Sequence, residues 1–176
     1  FRACEKQETI SHVTRYKDIN KTTMLQKCWL SIQSSVTEED SIKVIHDAVS
    51  AKTLSWLKET SVTDKIEFIA VPEHSWDYHE HTITLVDTLE QTAKEQSEEL
   101  HYIVEDDYLH VPNALHVLRA TLKNSPLFAV PYDYIDRYTN PEPSTVLLGP
   151  DRHWRTVNSS TMTVIAKGAT WLEYIN

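Results

Sequence analysis

The sequence predicts an α/β fold with a mainly parallel, Rossmann-like sheet, helices on both faces and a small antiparallel edge. Two observations predict it. Short β-rich runs alternate four times with amphipathic helical segments before residue 125, which is typical of parallel strands joined by right-handed crossovers. Later in the chain, two apolar runs lie close together at 146–148 and 162–166, which favours an antiparallel pair at the sheet edge.

The individual elements follow from apolar spacing and from capping residues. We expect strands at 1–4, 42–46, 66–71, 100–104 and 127–130. Apolar residues spaced by three and four positions predict helices between these strands. Thr22 or Thr23 is the expected cap of the first helix and Ser50 that of the second. Pro112 suits the first turn of the helix after the fourth strand.

Length and charge limit the classes of protein. The 176 residues fit a single domain, 1–176, which we interpret as a fragment truncated on its C-terminal side. A net charge of −9 disfavours a nucleic-acid partner, and no apolar stretch approaches the roughly 18 residues that span a bilayer. Cys4 and Cys28 do not make a disulfide framework, so we expect reduced core residues in a cytoplasmic compartment.

The glycines limit how a nucleotide could be bound. The chain has two, Gly149 and Gly168, so the first 148 residues contain no glycine-rich phosphate loop. A bound nucleotide would therefore need another way to neutralise its pyrophosphate. A divalent cation held by carboxylates is the candidate that this composition favours.

Three consecutive acids, Glu105-Asp106-Asp107, follow the predicted fourth strand. Their mutual repulsion is costly, and a bound cation removes that cost. Alternation along an extended segment places Glu105 and Asp107 on one side and Asp106 on the other. A solvated turn before the next helix remains the alternative, but the lack of a glycine loop favours a metal site.

Other polar residues follow the remaining strands. Arg2–Glu5 and Asp47 end the first and second strands, close to the acidic run if the strand order is 3-2-1-4. Asp47 suits hydrogen bonds to a ribose or base, although an ordinary turn aspartate is the alternative. His153 lies in a later loop, either at the site or stacked near Trp154. His74, His79 and His81 form a weaker transition-metal candidate, because spacing pairs no third strong ligand with them.

Four segments, in this order, resemble the donor half of a GT-A fold glycosyltransferase of the broad family-2-like kind. They are "TTMLQKCWLSIQSSV", "SIKVIHDAVSAKTLSWLKE", "IEFIAVPEHS" and "LHYIVEDDYLHVPNALHVL". The likeness covers roughly residues 1 to 125. The last segment is the most specific, because it resembles the DXD segment of the family with Glu105 in place of its first aspartate.

The resemblance implies a UDP or GDP sugar donor, a carbohydrate or glycoconjugate acceptor, and Mn²⁺ or Mg²⁺. It implies that Asp107 binds the metal while Glu105 and Asp106 assist through the ribose or a water, and that His153 completes the site. It places Asp47 on the nucleoside and implies a base pocket lined by Arg2, Ala3 and Glu5. An inverting enzyme also needs a carboxylate base. The family's usual Glu-Asp motif is absent before Asn176, which leaves Asp151, Asp133 and Asp136 as substitutes.

Other functions remain open at this point. Retaining chemistry needs no such base. A non-catalytic nucleotide- or sugar-binding module would keep the same acids, and only turnover of a donor separates it from an enzyme. A different metal-dependent nucleotidyl- or phosphotransferase is the third reading, although residues 1–20 lack the glycine-rich loop of sugar nucleotidyltransferases.

Overall fold

The computed structural model describes two compact units. Unit 1 comprises Phe1–Leu85 and Glu105–Pro112, and unit 2 comprises Val86–Val104 and Asn113–Asn176. No helix in the described part of the chain is long and apolar enough to cross a membrane. The described residues are 1–5, 20–72, 78–123, 125, 127–133, 135–140, 142–149, 152–158, 160 and 163–175.

Unit 1 is a three-stranded parallel sheet with two helices and the start of a third. The central strand pairs with one strand on each side, and Cys4 lies opposite Asp47 while Val44 lies opposite Phe68. The strands are β1 (Arg2–Cys4), β2 (Ile42–Asp47) and β3 (Ile66–Ala70), and the helices are α1 (Lys21–Gln33), α2 (Ala51–Glu59) and α3 (Tyr78–Glu95), which continues into unit 2.

Side-chain caps fix where α1 and α2 begin. Asn20 caps α1, because its Oδ1 accepts a hydrogen bond from the backbone N–H of Thr23 at 2.7 Å. The expected cap at Thr22 or Thr23 is therefore wrong, and Thr23 is instead the residue whose N–H is capped. Ser50 caps α2 as expected, accepting from the N–H of Thr53 at 3.2 Å.

The core of unit 1 lies between the sheet and the first two helices. Its fully buried members are Ala3, Leu25, Trp29, Val44 and Leu57. The indole N–H of Trp29 donates to the Thr60 hydroxyl at 2.9 Å, which satisfies its buried polar atom. Burial of each large apolar side chain contributes roughly 1.5–3 kcal/mol, so this cluster is the main support for the strand ends.

Unit 2 contains two small antiparallel pairs and three further helices. Its helix α6 starts at Gly168, where a Cβ atom would lie 2.8 Å from the Gln96 carbonyl, so the close approach requires glycine. Trp171 packs edge-on against Phe128 with ring centroids 4.8 Å apart. The elements are β4 (Leu100–Ile103), α4 (Ala114–Leu122), α5 (Asp136–Thr139), β5 (Val146–Leu148), β6 (His153–Arg155), β7 (Val164–Lys167) and α6 (Gly168–Ile175).

The expected mainly parallel, Rossmann-like sheet of GT-A type, with helices on both faces, is wrong. Among the described residues, parallel pairing is limited to β1, β2 and β3, whereas β4 pairs antiparallel with β7 and β5 with β6. The run at 127–130 makes only an isolated bridge between Ala129 and Ile165. The error has a physical cause: alternating strands and helices predict crossovers, but a strand's partner depends on which distant segment completes its hydrogen bonds and covers its apolar face.

Candidate functional site

The carboxyl ends of β1 and β2 form the edge of unit 1 at which polar side chains collect. Cys4 and Asp47 are cross-strand neighbours at this edge. Both adjoining helices begin here, since Glu5 accepts hydrogen bonds from the Thr22 hydroxyl of α1 at 3.2 Å and from the Ser50 N–H before α2 at 2.6 Å. Ligands of parallel α/β sheets bind at such carboxyl edges, so this is the candidate site.

Glu5 serves the fold at this edge. Besides its bonds to Thr22 and Ser50, it accepts from the Thr53 hydroxyl in the first turn of α2. Burial raises the pKa of Glu5, but the hydrogen bonds from Thr53, Ser50 and Thr22 together hold it below the ordinary value. Its carboxylate therefore stays ionised and stabilises the positive N-terminus of α2. The Glu5 carboxylate thus lies where an anionic group of a ligand could otherwise bind.

The acidic segment Glu105–Asp107 is anchored on this edge by contacts within unit 1. The backbone N–H of Cys4 donates to Asp106 Oδ2 at 2.9 Å, and the Lys21 ammonium pairs with Asp106 Oδ1. Arg2 lies 3.5 Å from Glu105, and the N–H of His110 donates to the Ser31 hydroxyl of α1 at 3.0 Å. These contacts fix the segment beside the end of β1.

The three acids differ sharply in environment. Asp106 is 6% exposed, and the side chain of its partner Lys21 is 10% exposed, so they form a buried ion pair. Asp107 is exposed, and no hydrogen bond or ion pair to it occurs among the described residues. Glu105 is intermediate, with a side chain 21% exposed. The middle acid therefore anchors the segment, Glu105 pairs with Arg2, and Asp107 is the acid left exposed.

Burial and neighbouring carboxylates both shift the pKa values of ionisable groups near this edge. Burial and then the neighbouring Asp107 raise the pKa of Glu105, and the Arg2 guanidinium only partly opposes them. Burial, together with Asp106 and Asp107, raises the pKa of the Cys28 thiol to about 12. Burial is the larger cause in both cases, and the neighbouring carboxylates add to it.

Asp47 ends β2 in an oriented but accessible position. Its Oδ2 lies 3.2 Å from Nε2 of His81 on α3, and its side chain is 34% exposed. The next residue, Ala48, has a φ of 49°, in the left-handed region that non-glycine residues rarely adopt. This conformation turns the chain from the strand end towards the Ser50 cap.

The other expected members of the nucleotide pocket contribute differently. The Ala3 side chain is fully buried in the core of unit 1, so only its backbone is available at the edge. Arg2 directs its guanidinium to Glu105. The structure thus brings together Arg2, Glu5, Asp47 and the acidic segment at one edge of one sheet.

The remaining site candidates belong to unit 2 or lie outside the described residues. His153 is exposed at the start of β6. Asp133 accepts a hydrogen bond from the Tyr138 hydroxyl and pairs with Arg155. The Tyr138 bond and then the Arg155 charge lower the pKa of Asp133 despite slight burial, which makes it a weak proton acceptor. Asp151, His74 and the side chains of Asp136 and His79 lie outside what the structure describes.

The donor set at the edge fits one form of metal site. Within the described ranges, no three His, Cys, Asp or Glu side chains are arranged to hold a metal by themselves. Mg²⁺, however, is often held by one or two carboxylates and completed by substrate phosphates and water. Asp107, with Glu105 beside it, offers such a set of hard oxygen ligands.

Sequence reasoning missed Lys21 and the pairing of His81. Lys21 belongs to no motif of the sequence, and His81 is grouped there with His74 and His79 as a possible metal ligand. Lys21 is the first residue of α1, and a helix that starts at a binding edge projects its first side chains towards that edge. The position of Lys21 at the start of α1 could have identified it from the sequence. No local sequence pattern predicts the pairing of His81 with Asp47.

Comparison with models of known protein families, with curated proteins and with solved structures gives no significant match. The geometry of the carboxyl edge of unit 1 is therefore the basis for assigning a function.

Proposed function

We propose that this chain binds a nucleoside-diphosphate sugar with the help of a divalent cation, Mn²⁺ or Mg²⁺, and transfers the sugar to an acceptor. The single observation that carries the proposal is the anchoring of the acidic segment on the carboxyl edge of β1, with Asp106 buried against Lys21 and Asp107 left exposed. A turn with a purely structural role would not require Asp107, which makes no hydrogen bond or ion pair among the described residues.

Each residue at the edge has a role in this proposal. Asp107 would hold the cation with Glu105 beside it, and Asp47 would accept hydrogen bonds from the ribose or base. A bound cation would neutralise the charge that develops on the departing diphosphate. Lys21 and Arg2 keep the acids in place, and the glycine-free edge explains why carboxylates rather than backbone amides would manage the phosphates.

One observation favours a second candidate, a binding module without turnover. Asp133 is committed to Tyr138 and Arg155, and its low pKa suits it poorly to accept the acceptor's proton. A retaining enzyme has no such requirement, so the two candidates differ in whether the donor is consumed.

Calorimetric titration of UDP and GDP, with Mn²⁺ and with EDTA, tests the binding step. We expect binding that is at least tenfold weaker in EDTA. Equal affinity in both conditions would refute the metal-assisted mode. Incubation with UDP- and GDP-sugars then separates the candidates, because an enzyme releases free diphosphate nucleotide in the presence of Mn²⁺ whereas a binding module returns the donor intact.

A further inference from the structure

His81 is one of the buried polar residues described in unit 1. It lies in the early turns of α3 and is only 8% exposed. Its Nε2 faces Asp47 Oδ2 at 3.2 Å. Its Nδ1 is buried and has no hydrogen-bond partner among the described residues.

The pairing sets one nitrogen of the His81 ring against one oxygen of the Asp47 carboxylate. An ionised carboxylate only accepts hydrogen bonds, so the ring nitrogen that faces it carries the proton. Nε2 lies against Oδ2 at 3.2 Å, and the side chain that carries the other oxygen, Oδ1, is 34% exposed. An aspartate at a strand end otherwise samples several rotamers, and the ring removes that freedom.

A structural role alone explains this histidine poorly. A buried imidazole with one unpartnered nitrogen costs stability relative to an apolar side chain of similar size. A turn aspartate that is one-third exposed does not need a buried partner either, because water solvates it. An apolar side chain such as leucine would fill this position without a buried polar atom that needs a partner.

We propose that His81 is a positioning residue that presents the second carboxylate oxygen of Asp47, Oδ1, to an N–H or O–H donor of the ligand, such as a nucleobase imide or a ribose hydroxyl. This inference rests on the proposed function, because the nucleotide is the ligand that brings such donors to the edge. It predicts that His81 lowers the stability of the chain while it raises its affinity for nucleotide.

Two amide substitutions give a matched test. The side-chain N–H₂ of glutamine reaches the position of Nε2, whereas that of asparagine reaches only that of Nδ1. We therefore expect His81→Gln to bind UDP or GDP, with Mn²⁺, within about twofold of the wild type, and His81→Asn to bind about five- to tenfold more weakly. His81→Leu should bind as weakly as His81→Asn and melt at the same or a higher temperature than the wild type.

The double variant Asp47→Ala/His81→Asn should bind no more weakly than Asp47→Ala alone, because His81 acts only through Asp47. Additive losses, or full affinity in His81→Asn, would overturn the inference while leaving the proposed function in place. A wild-type chain that binds neither UDP nor GDP would instead overturn the proposed function, and the inference with it.

Discussion

Removal of the charge of Asp106 tests the assignment of separate roles to the three acids. The Lys21 and Asp106 side chains are 10% and 8% exposed, so Asp106→Asn leaves a buried ammonium without its counter-ion. Loss of one partner of a buried pair costs about 3–5 kcal/mol. Asparagine keeps an oxygen for the Cys4 N–H, so we expect the lower end of that range, about 3 kcal/mol.

A loss of this size is easily measured. For a chain of this length each kcal/mol corresponds to roughly 2–4 °C in melting temperature, so Asp106→Asn should melt about 6–12 °C below the wild type. Asp107→Asn is the matched control, because it makes the same chemical change one residue later on an exposed side chain. It should change stability by no more than about 0.5 kcal/mol.

A third variant isolates the ion pair as the cause. Lys21→Met in the Asp106→Asn background removes the stranded ammonium and replaces it with an apolar side chain. Because apolar replacement of both members of a buried pair is often neutral, the double variant should regain most of the lost stability. Equal melting of Asp106→Asn and Asp107→Asn, or no recovery in the double variant, would refute the assignment of Asp106 as the anchor.

Three further predictions concern the ligand-facing side chains. Asp107→Asn should abolish Mn²⁺-dependent donor cleavage without changing the melting temperature, and an active variant would exclude Asp107 as the metal ligand. Asp47→Ala should weaken the binding of UDP or GDP by about 1–3 kcal/mol. The affinity for Mn²⁺, measured without nucleotide, should be unchanged. Unaltered nucleotide binding would show that Asp47 is only a turn residue. The folded-state pKa of Glu105 is raised, so the protonated form stabilises the fold at low pH and that contribution is lost as the pH rises through the folded value. Glu105→Gln should therefore raise the melting temperature of the metal-free protein at pH 7. It should not raise it at a pH well below the ordinary pKa of glutamate. An increase in melting temperature that is the same at both pH values would contradict ionisation of Glu105 as its cause.

The sequence determined the type of most elements and the place where polar residues collect. Apolar spacing located α1, α2 and the strands β1, β2 and β3, because helix and strand periods are properties of neighbouring residues. The Ser50 cap was readable for the same reason, since it acts on a backbone N–H only three residues away. Acids directly after an apolar strand also indicated a strand end that faces ligand or solvent.

Only the tertiary structure decided the partners. β4 pairs antiparallel with β7 rather than extending a parallel sheet, because a strand's edge takes whichever distant segment best completes its hydrogen bonds and apolar cover. The pairing of Asp106 with Lys21, 85 residues earlier, and of Asp47 with His81 depends in the same way on how the helices pack against the strands. Three adjacent acids look alike in sequence, and it is the burial of one against a lysine that gives them different roles.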